Sequence, residues 1–175
     1  MLGRMTWTAP PITRQSTPYV ADERQMLEAW LDFQRQTLLG KCSGLTAEQL
    51  RQRAAPPSTL SLLGLVRHMA KVERIWFRHR AAGEDVPPMY DPALGKDHDF
   101  EALDPADAPN AFARLEAEWD AADAAAARFD FDHLVEVHGE PFSLRMIYVH
   151  MIGEYARHNG HADLLREAID GVTAR

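Results

Sequence analysis

The chain has 175 residues, 46% of them apolar, and carries 19 Lys and Arg against 26 Asp and Glu for a formal charge of −7. That length fits one domain with a real core and a loose extension, and the acidic balance disfavours non-specific attraction to nucleic acid or anionic membranes. The single cysteine, Cys42, excludes an internal disulfide framework and a thiolate-cluster metal site within one chain.

Residues 1–20 are rich in Pro and Thr and read as an extended arm, with residues 21–175 as the folded unit. The arm holds no apolar segment of signal-peptide length, and no apolar run spans a bilayer, so a cytoplasmic location is expected. A first helix is expected over residues 21–42, opening on the acids Asp22 and Glu23. Its apolar face carries Leu27, Trp30, Leu31, Leu38 and Leu45. Thr46 followed by Gln49 has the form of a capping box, so a short second piece begins there and ends at Pro56 and Pro57.

Ser61 can cap the next helix, expected to run to about residue 82 and to stop at Gly83. Its apolar line holds Leu65, Val72, Ile75 and Trp76, with His68 among them. A polar connection follows over residues 83–109, and connections this long inside a compact domain are functional or poorly ordered. Residues 110–128 form an Ala-rich helix with Phe112, Leu115, Trp119 and Ala122 on one side. Residues 129–141 alternate in strand fashion around Leu134, Val135 and Val137. The last helix begins at Ser143 and ends at Gly171, a good glycine for a left-handed stop. Four long amphipathic helices without βα alternation predict an all-α four-helix bundle.

The last helix carries the chemistry. Glu154 and His158 are one turn apart, in line with Ile147, Met151 and Leu165, so a carboxylate and an imidazole project from the stripe that should be buried. Burying such groups is costly unless something pairs with them. In a bundle the His68 line converges on theirs. His, Glu and His form a divalent-metal set, and three protein ligands leave positions open for water or substrate. The plainer alternative is a core histidine donating to a carbonyl and a Glu–His ion pair on one helix. His150 and His161 flank the pair. Each is a candidate hydrogen-bond partner that orients a ligand or a proton-transfer group. Otherwise His150 points at a neighbouring helix and His161 lies at the rim. Cys42 is expected to be a small buried thiol. A di-iron carboxylate site is not indicated, because that needs Glu-x-x-His on two helices.

At these residues the chain resembles the DinB/YfiT-like superfamily of metal-binding helical bundles. It is most similar to the mini-circle branch, near the N-terminal domain of mycothiol-dependent maleylpyruvate isomerase. The likeness covers about residues 22–171. It rests on SLLGLVRHMAKVERIWF, on ERQMLEAWLDFQRQTLLGKCSGLT and on SLRMIYVHMIGEYARHNGHADLLREAIDG. The resemblance implies an up-down-down-up bundle, a homodimer, and His68, Glu154 and His158 holding one zinc- or nickel-type divalent ion. It also implies that the ion activates a low-molecular-weight thiol such as mycothiol for transfer to an electrophile, and the position of His161, and less so of His150, makes each a candidate to assist the proton transfer. The alternative is a non-catalytic DinB-like metal- or ligand-binding stress protein.

Overall fold

The computed structural model describes residues 6–95 and 97–173, so five residues of the expected arm and the last two of the expected folded unit lie outside the described residues. The helix starts are set by the side chains the sequence places there. Asp22 accepts from the Gln25 N–H to cap α1 (Glu23–Cys42), and Thr46 and Gln49 form a reciprocal capping box on α2 (Ala47–Leu50). Ser61 accepts from the Gly64 N–H at the start of α3 (Leu62–Glu73), which continues into a π-helical stretch, Arg74–Ala81.

The long connection is not structureless. It contains 3-10 turns at Pro92–Leu94 and Pro105–Asp107 and one turn of helix, α4 (His98–Glu101). α5 (Ala108–Ala126) starts two residues before the expected boundary and ends two before it. Residues 129–141 resolve into a hairpin with the strand that follows, so the chain is mostly helical rather than wholly so. β1 (Leu134–Val137) pairs antiparallel with β2 (Glu140–Ser143), Val137 opposite Glu140. His138 and Gly139 between them have φ of 56° and 82°, the two positive values that a tight hairpin turn requires. α6 (Leu144–Asp170) is capped by Ser143 and stops at Gly171 in the left-handed conformation.

α1 lies along α6, α3 against α5, and α4 sits on α3. Leu31, Leu38, Leu65, Met69, Leu115, Ile147, Met151 and Leu165 are all buried in the shared core, each contributing about 1.5–3 kcal/mol by removal from water. Trp30, expected on that face, is instead 39% exposed and meets Phe33 edge to face. Near the amino end, Ala9 is buried and exchanges backbone hydrogen bonds with Gly44 and Leu45, and Trp7 packs edge-on against Phe112. No helix among the described residues is long and apolar enough to cross a membrane.

One polar cluster sits inside this core. Arg35, 2% exposed, makes a two-pronged ion pair with the fully buried Glu73, 2.8 and 2.9 Å. Tyr155 donates to the same carboxylate at 2.9 Å and accepts from the Trp119 indole at 2.8 Å. Such a pair repays its desolvation only when its remaining sites are hydrogen-bonded, as they are here.

Candidate metal centre

His68 on α3 faces Glu154 and His158 on α6. One ligand atom from each can be chosen so that all three lie within 4.8 Å of one another. The two imidazoles meet at 66° with centroids 4.9 Å apart, and His158 Nε2 is 3.7 Å from Glu154 Oε2. Atoms bound to one ion at about 2.1 Å lie at most about 4.2 Å apart, so closing on a cation needs side-chain shifts of roughly half an ångström.

The electrostatics suit ligation. Burial, reinforced by His68, His161 and Arg157, pushes the His158 imidazole down to about 4. It is therefore neutral at pH 7, the form that coordinates. Glu154 is half-buried, and its Oε1 accepts from Arg157 at 3.0 Å. That leaves Oε2 on the side of His158.

His68 is held from behind. Its Nδ1 lies 2.7 Å from Oδ2 of Asp99, which also accepts from Lys71 at 2.8 Å. A proton on Nδ1 aimed at the carboxylate leaves the lone pair on Nε2. This is the carboxylate–histidine pattern that orients metal-ligating imidazoles. Burial alone would raise the Asp99 carboxyl, but the hydrogen bonds from His68 and Lys71 outweigh it and hold it below the usual carboxylate value.

Asp99 reaches this position because α4 lies flat on α3. Phe100 stacks on the His68 ring at 4.7 Å, and a Cβ at position 64 would come within 3.1 Å of the Phe100 ring, so Gly64 permits the approach. Arg67 ties down the same segment, donating to the carbonyls of Ala102 at 2.7 Å and His98 at 3.3 Å.

The other histidines divide. His161 Nδ1 is 3.3 Å from His158 Nδ1, so it touches the cluster. His150 packs on the Trp76 ring at 4.2 Å and stands outside the group of three. His133 stacks on Phe129 and faces the Ala81 carbonyl. Cys42 is buried, and burial pushes its thiol up to about 12, which leaves it inert as a nucleophile. Asp99 is the site residue that spacing does not reveal: 31 residues separate it from His68. Only the length of its connection pointed there.

Fold and site together define a mostly helical protein with a partly buried His–Glu–His cluster that could hold a cation. The model of the mycothiol S-transferase family matches residues 26–171, and the chain belongs to that DinB-like family. Comparison with curated proteins gives no match, and comparison with solved structures gives none either.

Proposed function

We propose that this protein is a divalent-metal-dependent S-transferase that activates a low-molecular-weight thiol of the mycothiol type for transfer to an electrophile. The observation that carries this reading is the convergence of His68, Glu154 and His158 within 4.8 Å in a chain of the mycothiol S-transferase family. In this reading residues 21–175 form a DinB-like up-down-down-up bundle with residues 1–20 as its arm. The protein works as a cytoplasmic homodimer, with no nucleic-acid or membrane partner.

The residues present fit the ion. Two imidazoles and one carboxylate make a zinc set, with nickel the second choice, and three ligands leave room for a further donor. A divalent ion held there supplies one thing, a lowered thiol pKa that makes a thiolate at neutral pH. Everything else falls to the chain. Asp99 fixes the His68 tautomer, and His161 does the same for His158 by accepting from its Nδ1–H. His161 then keeps its own proton on Nε2, where it can donate to the group leaving the electrophile. His150, on Trp76, takes the lesser place. In the transfer, the thiol gives up its proton and sulfur bonds to the electrophilic carbon. The leaving group departs with its bonding pair and takes up a proton.

Incubation of purified protein with mycothiol and monochlorobimane tests the reading. Metal-dependent S-conjugate formation well above the uncatalysed rate is expected, with loss in His158→Ala. Conjugation at the uncatalysed rate with metal present would contradict it. The rival reading, a non-catalytic stress protein, expects that second result.

A further inference from the structure

A cavity of about 510 Å³ opens between the end of α3, with its π-helical continuation, and the 86–99 connection. Asp99, the partner of His68, is part of its lining, whereas His68, Glu154 and His158 are not. One Asp99 oxygen is already committed to His68 and Lys71, while Oδ1 is buried without a hydrogen-bond partner in the described structure. The walls are largely apolar, with Ile75 from the helix facing Val86, Pro88 and Met89 from the connection. Such a wall suits a hydrocarbon body.

Three cations also line the cavity. Lys71 is paired with Asp99, and Arg74 with Glu118. Arg80 is different. Its guanidinium lies 4.1 Å over the Trp76 ring with one nitrogen 3.4 Å from His138 Nε2, and among the described residues no carboxylate pairs with it. In a chain of net charge −7 this half-buried guanidinium is a local exception. It stands nine residues beyond Lys71, roughly 13 Å along a helix.

We infer that this cavity is a binding site for an amphipathic organic anion. The carboxylate meets Arg80, and the apolar body lies along Ile75 and Met89 toward Asp99. The inference stands apart from the S-transfer reading, because a guanidinium is a ready two-pronged partner for a carboxylate whatever reaction the protein performs.

Calorimetric titration with 2-naphthylacetate, followed in parallel by the Met89 methyl resonance, tests it. Wild type should bind one equivalent saturably and shift Met89. Arg80→Gln should bind about 10-fold more weakly, as should the neutral analogue 2-naphthylethanol on wild type. Arg80→Lys should recover only part of the lost affinity, because it keeps the charge but not the two-pronged geometry, and any recovery separates lost charge from lost folding. His158→Ala should bind as wild type does, because it disables the cluster and leaves the cavity intact. Absence of saturable binding, or equal binding by Arg80→Gln, overturns the pocket.

Discussion

Asp99 and His68, 31 residues apart, meet through a 2.7 Å contact between Oδ2 and Nδ1. The carboxylate is fully buried and shared with Lys71, so it decides which imidazole nitrogen can turn toward Glu154 and His158. Through it, the 83–109 connection becomes part of the site.

Asp99→Asn should therefore weaken divalent-ion affinity by about 10–100-fold while leaving the three ligands in place. Competition against a chromophoric chelator measures this directly. Affinity equal to wild type would remove Asp99 from the site.

The Arg35–Glu73 pair predicts a stability pattern. Glu73→Gln takes the fully buried carboxylate from Arg35, which keeps only the half-exposed Asp32 and Asp123, and sets an amide N–H donor against a guanidinium N–H. A loss of about 3–5 kcal/mol is expected in urea unfolding. The double variant Arg35→Met, Glu73→Leu should lose less than Glu73→Gln, because no buried charge is orphaned. If the separate losses of Arg35→Met and Glu73→Leu simply add up to that of the double variant, the pair is not coupled as described.

His158 sets a pH window for the metal-free protein. Its imidazole is pushed down to about 4 in the folded state, against about 6.5 in an unfolded chain. Between those values the unfolded state binds more protons, so stability rises with pH across the window and is lost as pH falls through it. The contribution is on the order of 3 kcal/mol. Urea midpoints from pH 4 to 7 should rise more steeply in wild type than in His158→Gln. Parallel curves would mean that this imidazole is not depressed.

Cys42 should take no part in thiol chemistry. It is buried and its thiol is pushed up to about 12. A thiol-titrating disulfide reagent at pH 8 should label it only after denaturation, and Cys42→Ala should keep full transferase activity. Loss of turnover in that variant would point to an internal nucleophile in place of an external thiol.

Much of this was legible in the sequence because local rules govern it. Thr46 and Ser61 cap the helices expected of them, Asp22 and Ser143 cap helices expected to open at or beside them, and Gly171 ends the last one as a left-handed residue. Helical spacing likewise puts Glu154 beside His158, and His68 falls on a line that converges with theirs. What depends on chain reversal was not legible. The approach of Asp99 to His68 is set by Gly64, Phe100 and the Arg67 tether, none of which has a periodic signature. The buried Arg35–Glu73–Tyr155 cluster was hidden for a related reason. Each residue reads as ordinary on its own helix, and only packing α1, α3 and α6 together joins them. Trp30 misled because an aromatic at helical spacing reads as core, although this one lies largely at the surface.

The central claim is that one cation sits among His68, Glu154 and His158. Metal content by plasma mass spectrometry, on protein purified without a metal-affinity column, tests it most directly when paired with thermal melts across a zinc titration. The account predicts close to one divalent ion per chain in wild type, a melting temperature that climbs with added zinc, and neither effect in His158→Ala. Sub-stoichiometric metal in wild type, with melting indifferent to zinc, would contradict it.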